Sequence, residues 1–345
     1  MAMQLPVDQL VIMLASTISL WFVDASPISN GSAGDFPKIS GAKKDKKLLW
    51  TSRLVQLGIF AICCAISDLH SFIGALALAG SILLLVEGYG DSRYAAKKFA
   101  AYHFLALLLC AYANILPKRV GATVLRILAF GILTAAYPLS GWVDSFFSRA
   151  PASLISIWLI LLRPIGVKFL LATVPMELVN GSRSTLSMVL VMIFGSLWFV
   201  PILFFAKTEL RKLLAYVTCW QSGYLWLFAT RFTAVKSNEI TLFAIVQGIF
   251  IALIVQVTTG LYARSKSDSI TNLSELFKVN YFAAIFLVSS LVFLLLMPVI
   301  FLLKKDAQQI SLFPVCQVCG SMVLPVLFGR KIYALLKRAG GKAPI

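Results

Sequence analysis

Residues 207–224 read Lys-Thr-Glu-Leu-Arg-Lys-Leu-Leu-Ala-Tyr-Val-Thr-Cys-Trp-Gln-Ser-Gly-Tyr, and this stretch is the most distinctive of the chain. Its basic start, with Arg211 and Lys212, is typical of a helix that enters a membrane at the lipid head groups. Polar side chains then recur inside an apolar run, at Tyr216, Thr218, Gln221 and Ser222. Because polar groups at membrane depth need partners, the pattern predicts a membrane helix whose polar side chains line an interior seam.

The composition around this stretch predicts a membrane protein with many spans. Of the 345 residues, 59% are hydrophobic and only 13% are charged, and the mean hydropathy is +0.88. A soluble domain is about half apolar and about a quarter charged, and a disordered chain has low hydrophobicity, so both classes are excluded. The apolar runs are continuous rather than alternating, which favours helices over a β-barrel.

We predict an all-α polytopic bundle of about 11 transmembrane helices, since a span takes roughly 20 residues. The predicted spans are 9–24, 52–68, 71–87, 99–116, 120–140, 152–173, 185–206, 212–229, 239–262, 279–303 and 309–335. The first is short, and the apolar region of a signal peptide is the alternative there. The chain divides into an N-terminal span with a basic polar loop at 1–50, a transmembrane domain at 51–335 and a basic tail at 336–345.

The formal net charge of +17, from 31 Lys and Arg against 14 Asp and Glu, fits a membrane protein. Most of the Lys and Arg outside the predicted spans fall in the odd-numbered loops and in the C-terminal tail. The positive-inside rule then places the C-terminus inside and the N-terminus outside. Cationic loops also meet anionic lipid head groups, so we expect membrane lipids as partners and no nucleic acid.

Charged residues inside membrane spans are costly and mark functional sites by default. Arg163, Pro164 and Lys168 fall in the sixth span, while Pro298 falls near the end of the tenth span and Lys305 two residues after it. A broken helix with buried cations is one way in which transporters build an ion path, so we predict discontinuous helices near the two prolines. An ordinary lysine that reaches the membrane surface is the alternative for each lysine.

His103 falls in the fourth span, where a lone histidine is more often a hydrogen-bonded packing residue. It titrates near neutrality, however, and could relay protons. Cys316 and Cys319 form a C-x-x-C, but no second such pair and no nearby histidine completes a zinc site. Since the sequence contains no Gly-rich phosphate loop and no cysteine cluster suited to iron–sulfur ligation, we predict no catalytic residue, cofactor or metal in this chain.

Residues 207–224 resemble the "LRKLLAYSSxxHxGY" signature of the antiporter-like membrane subunits of respiratory complex I, the proton-pumping NADH:quinone oxidoreductase. Three further blocks stand in the family's order. Residues 94–104 resemble "EAAIKYFxxGAF", residues 137–151 resemble "PFHxWxPD" with the following "xAPxP", and residues 269–305 resemble "SIxDLxGLxxxxPxxAxxxxxxxxSLxGxPPxxGFxxK". The resemblance covers roughly residues 50–335 and is closest to subunit N, which is called subunit 2 in mitochondria.

The resemblance implies a membrane-arm subunit that takes part in proton translocation. Arg163 would replace the lysine of the span after the "PFHxW" block, and Lys305 would match the lysine of a broken late helix. The other implied candidates for the proton path are Lys168, His103, Tyr216, Thr218 and Gln221. NADH, FMN, iron–sulfur clusters and quinone are expected on other subunits. Other membrane-arm subunits and lipids such as cardiolipin would be partners, in the mitochondrial inner membrane or alternatively in a bacterial cytoplasmic membrane.

The chain also departs from the family. The acidic residue of "IGLELM" should fall near Leu76, where no acid remains, and a lysine five residues before the "PFH" proline falls at Leu133. The two histidines of the family's motifs become Ser140 and Gln221. Arginine stays protonated, so Arg163 cannot release a proton as a lysine can. Two alternatives therefore stay open, which are a structural membrane-arm subunit that pumps nothing and a subunit of a cation/proton antiporter.

Overall fold

The computed structural model describes residues 93–116, 120–150, 152–168, 170–171, 183–205, 209–231 and 237–265, with residues 289, 292 and 296 described individually. Six of the predicted spans lie within or across these ranges. The predicted spans at 9–24, 52–68, 71–87, 279–303 and 309–335 lie outside them, apart from the three individual residues. The predictions for Pro298 and Lys305 also lie outside the described residues.

The described residues are predominantly helical, in agreement with the all-α prediction. The α-helices are α1 (Arg93–Ile115), α2 (Val120–Thr134), α3 (Val143–Arg149), α4 (Ala152–Ile157), α5 (Arg183–Phe194), α6 (Val200–Phe205), α7 (Leu210–Arg231) and α8 (Ser237–Ser265). Two π-helical turns interrupt longer helices. The first π turn, Trp158–Leu162, follows α4 and continues into helical residues 163–168. The second π turn, Gly195–Phe199, joins α5 to α6.

Two helical segments in the described part of the chain are long and apolar enough to cross a membrane. They are Thr185–Phe204 and Ile240–Thr259, and Gly121–Thr134 is a shorter apolar helix. Each falls inside one of the spans that the sequence predicts. The total of about 11 spans stays a prediction.

The helix predicted at 120–140 is shorter than expected, because α2 ends at Thr134. Ala135 adopts a left-handed backbone conformation with φ of 61°. The amide of Ala136 then donates to the carbonyl of Gly131 (2.8 Å), and the amide of Ala135 donates to that of Ile132 (3.2 Å). This is the Schellman arrangement, which usually has glycine at the left-handed position. Alanine there lacks the sequence signal of a helix end, which is why the prediction ran too far.

Helix α7 is the central helix of the described residues. It packs against α3, α5, α6, α8 and the second π turn, and most of its side chains are buried. The large aromatic residues of the core lie on α7 or around it, and four fully buried ones are Trp142, Trp158, Trp220 and Trp226. Residues 210–224 of the distinctive stretch therefore supply the interior of the described part of the fold, as their polar pattern predicted.

Candidate functional site

The first π turn sets the position of Arg163. Pro164 lacks a backbone N–H, and its ring would clash with the carbonyl four residues earlier, at Ile160. Ile160 lies inside the π turn, where the wider winding makes room for the ring. The discontinuity that we predicted near Pro164 is therefore a local widening of a helix that continues to residue 168, not a gap in it.

Arg163 lies in the interior, with 0% of its side chain exposed. Its Nη2 donates to the carbonyl oxygen of Thr218 (3.3 Å) and to Oγ of Ser222 (3.2 Å), both on α7. Thr218 and Ser222 are four residues apart, so they occupy the same face of the helix. Arg163 and Thr218, which the sequence analysis named as separate candidates, are thus brought into contact.

Ser222 links this arginine to the end of α2. Its hydroxyl donates to the carbonyl of Thr134, the last residue of α2, and lies 3.0 Å from the carbonyl of Thr218. Oγ1 of Thr134 in turn accepts a hydrogen bond from Nε1 of Trp226 (2.9 Å) and donates to the carbonyl of Phe130 (2.7 Å). The last carbonyls of a helix have no partner within it, so Ser222 satisfies one of these groups.

The C-terminus of α2 also supplies negative potential beside Arg163. The helix 163–168 lies directly on this end, because a Cβ built at Gly166 would stand 2.9 Å from Cβ of Leu133. The aligned peptide dipoles of a helix leave about half a negative charge at its C-terminus, which favours a nearby cation. In the described part of the chain Arg163 has no carboxylate partner. Helix-end dipoles and neutral oxygens therefore stabilise this buried charge.

Arg163 uses only some of its N–H donors in these hydrogen bonds. Its Nε and Nη1 are buried and have no hydrogen-bond partner among the residues that the structure describes. Nε1 of Trp158, at the start of the first π turn, is in the same state. A buried donor without a partner costs about 1–3 kcal/mol, and more when the group is charged. The hydrogen bonds that Arg163 makes to α7 therefore use only Nη2 of its guanidinium group.

The remaining predicted residues lie at different depths. Gln221 is fully buried on α7, whereas Tyr216 and Lys168 are half-buried. Nδ1 of His103 donates to the carbonyl of Phe99 (2.8 Å), and its ring stacks on Phe99 with the centroids 3.8 Å apart. The rings of Trp142 and His103 also meet edge to face, with their centroids 4.8 Å apart. The structure thus places His103 in an aromatic cluster and not among the partners of Arg163.

Sequence reasoning missed two partners of the arginine network. Ser222 was recognised as part of the polar pattern but not as a site residue, although its spacing of four from Thr218 could have indicated the shared face. Thr134 gave no such signal, because its role depends on where α2 ends. No group of three or more His, Cys, Asp or Glu that could hold a metal occurs among the described residues.

Comparisons with known proteins give structural likeness only. No protein-family model matches the chain, and no curated protein matches its sequence. A chain of respiratory complex I from Thermus thermophilus, solved with bound aureothin, superposes with a TM-score of 0.66 and 16% identity, over 92% of this chain and 74% of that one. A chain of the Mrp complex from Dietzia sp. DQ12-45-1b superposes with a TM-score of 0.59 and 13% identity, over 95% of this chain and 73% of that one.

This chain shares their fold. At 16% and 13% identity the two superpositions establish the fold alone, a helical fold of the kind that the resemblance in the sequence implies. The resemblance found in the sequence is confirmed at the level of the fold. The narrower assignment to subunit N stays a prediction, and so does the mitochondrial location.

Proposed function

We propose that this chain is a membrane-arm subunit of a proton-translocating NADH:quinone oxidoreductase of the complex I type. The observation that carries the proposal is the fully buried Arg163, held on α7 by Thr218 and Ser222 in a fold shared with a chain of complex I. A buried cation inside a membrane helix bundle is expensive, and such residues mark ion or proton pathways. NADH oxidation and quinone chemistry would take place on other subunits.

In this proposal Arg163 acts as a fixed positive charge. It does not release its proton, so it sets the electrostatic potential of the seam in which protons move between other groups. Thr218 and Gln221 would line that seam on α7, and the half-buried Tyr216 and Lys168 would be further groups along it. Lys305 and His103 are the remaining candidates that the sequence supplies. The spare donors of Arg163 would hold water molecules, through which protons can pass.

A structural role is the first alternative, and one contact favours it. Leu133 packs its side chain against Gly166, one turn after Arg163. The resemblance implies a lysine at position 133. An apolar side chain therefore contacts residues 163–168 where the resemblance implies a titratable one. Together with the missing acid near Leu76, this contact favours a subunit that fills the membrane arm and moves no protons.

A subunit of a cation/proton antiporter is the second alternative. The superposition with a chain of the Mrp complex, over 95% of this chain, favours it. An antiporter would exchange cations for protons without any redox partner. The two candidates thus differ in the proteins with which this chain assembles and in the compound that drives transport.

Native gel electrophoresis of gently solubilised membranes, with mass spectrometry of the band that contains this chain, separates these candidates. Migration with NADH-oxidising subunits in a large assembly is the result that the proposal predicts. Migration with antiporter-like chains alone, together with cation-dependent proton exchange and no NADH oxidation, would support the antiporter. Fractionation of the same cells shows whether the band comes from mitochondrial inner membranes or from a bacterial cytoplasmic membrane.

A further inference from the structure

One face of α1 changes from cationic to apolar along its length. Lys97 and Lys98 stand near its start, and further along the same face are Leu105 and Leu108 with 47% and 49% of their side chains exposed, and Tyr112 with 57%. Leu105 follows Lys98 by seven residues, or two helical turns, and Leu108 and Tyr112 follow at intervals of three and four, so these positions form one stripe on the helix surface. The helix has 23 residues, or about 34 Å, which is enough to cross a bilayer core of about 30 Å.

The cationic end of this stripe is built around Tyr94. Nζ of Lys98 lies 5.2 Å from the centroid of the Tyr94 ring, and Cζ of Arg149, on α3, lies 5.3 Å from it. Tyr94 itself is 53% exposed. A ring that contacts two cations keeps them close together in spite of their repulsion. We call Tyr94, Lys97, Lys98 and Arg149 the cationic cluster.

Neighbouring elements fix this cluster in place. Nη2 of Arg211, at the start of α7, donates to the carbonyl of Ala150 (3.1 Å), the residue after Arg149. The same Nη2 reaches Oγ1 of Thr259 near the end of α8 (3.4 Å). The ends of α1, α3, α7 and α8 therefore meet on one side of the bundle. These ends border odd-numbered loops, which the positive-inside rule places on the inner side.

The cationic cluster carries positive charge without a matching acid. Neither Lys97 nor Lys98 nor Arg149 has a carboxylate partner in the part of the chain that the structure describes. The acid near the start of α7, Glu209, is already paired with Lys212 at 2.5 Å. An anion with several acceptor oxygens is the ligand that such a group of ammonium and guanidinium donors would bind.

We propose that the cationic cluster binds the phosphate of an anionic phospholipid, whose acyl chains lie along the apolar stripe of α1. The continuity of the two surfaces favours a lipid over an acidic polypeptide. From Lys98 to Tyr112 the stripe runs about 21 Å, more than the roughly 15 Å of one leaflet's hydrocarbon. A partly exposed tyrosine at the junction is typical of a side chain at the membrane interface. The site does not depend on which assembly contains the chain.

The test uses the full-length chain in its native assembly, purified in mild detergent. The assembly is incubated with mixed phosphatidylglycerol and phosphatidylcholine, and the lipids that it retains are measured by native mass spectrometry. Since one basic residue near an anionic lipid contributes about 1 kcal/mol, the variant Lys98→Gln/Arg149→Gln is expected to retain about 25-fold less phosphatidylglycerol relative to phosphatidylcholine. Tyr94→Phe keeps the ring and is expected to retain the lipid as the wild type does.

Arg183→Gln is the matched control, because it removes one exposed arginine at the start of α5. It is expected to leave lipid retention unchanged. Equal retention of phosphatidylglycerol by the double variant and the wild type would overturn the proposal. Inorganic phosphate that displaces the lipid at equal concentration would show a phosphate site instead, and photo-crosslinking from position 149 to an acidic polypeptide would show a protein interface. Each of these outcomes would also overturn it.

Discussion

The two π turns are built alike but carry different chemistry. The first, Trp158–Leu162, is followed by Arg163 and Pro164, and the second, Gly195–Phe199, is followed by Val200 and Pro201. In each case the proline ring points back at a carbonyl inside the π turn, which gives the two turns the same steric cause. The residue before the proline is fully buried after the first turn and 1% exposed after the second.

A glycine of a neighbouring long helix packs against each turn. A Cβ built at Gly248 of α8 would stand 2.5 Å from the carbonyl oxygen of Leu159 in the first turn. A Cβ built at Gly223 of α7 would stand 2.9 Å from the side chains of Ser196 and Leu197 in the second. Proline and glycine thus account for the shape of both π turns. The functional difference between them lies in the residue before the proline, which is Arg163 after the first turn and Val200 after the second. Only the first turn presents a charge.

The largest effect is expected from Val200→Arg, which would place a second arginine in the position that corresponds to Arg163. Val200 is a buried apolar position, and the Thr218 and Ser222 oxygens of α7 already accept hydrogen bonds from Arg163. An unpaired buried charge costs more than about 4 kcal/mol, so the variant should fail to assemble. Val200→Met has a similar length without the charge and should cost about 1–3 kcal/mol. The amount of assembled chain on native gels measures the effect of each variant. Full assembly of Val200→Arg would contradict the inferred difference between the two π turns, because the second turn would then hold a buried charge as well.

The two glycines should differ next. Gly248→Ala is expected to lower the stability of the chain by about 3 kcal/mol, because its methyl group meets backbone that cannot move aside. Gly223→Ala meets side chains, which can shift, and should cost about 1 kcal/mol. Thermal denaturation of the purified assembly measures the difference. Equal losses for both variants would show that the first turn is no more tightly confined than the second.

The serines at the two turns give a smaller contrast. Ser222→Ala removes an oxygen that accepts from a charged group and should cost about 2 kcal/mol. Ser196 accepts only a neutral amide, that of Tyr137 at 2.9 Å, so Ser196→Ala should cost about 1 kcal/mol. The same thermal measurement applies, and a larger loss for Ser196→Ala would contradict the assigned importance of the arginine contact.

The smallest effect is expected from Lys212→Gln, which removes a charge at the surface. Its ion pair with Glu209 is partly exposed, with 28% and 40% of the two side chains accessible. Such pairs contribute about 0–1 kcal/mol and weaken in salt. The loss should therefore be under about 1 kcal/mol and should vanish at high ionic strength. A loss as large as that of Ser222→Ala at any salt concentration would be inconsistent with this account.

Local sequence patterns predicted the helices and the arginine well, because both depend on neighbours in the chain. Continuous apolar runs predict spans, and a charge within one stands out at Arg163. The partners of that charge could not be predicted, since the contact of Ser222 with Thr134 joins two helices and requires α2 to end at Thr134. Because position 135 is alanine and not glycine, the sequence gives no sign that the helix ends there. The π turns were missed for a similar reason, because a proline in a helix predicts a disturbance but not its form.

Arg163 itself provides the most direct test of the central claim, that a buried fixed charge held against α7 serves proton movement. We would measure protons moved per electron transferred in native membranes for the wild type, Arg163→Gln and Arg163→Lys, with equal assembly confirmed on native gels. The account predicts that Arg163→Gln lowers this ratio and that Arg163→Lys, which restores the charge, recovers it. An unchanged ratio in a fully assembled Arg163→Gln variant would contradict the account and favour a structural subunit.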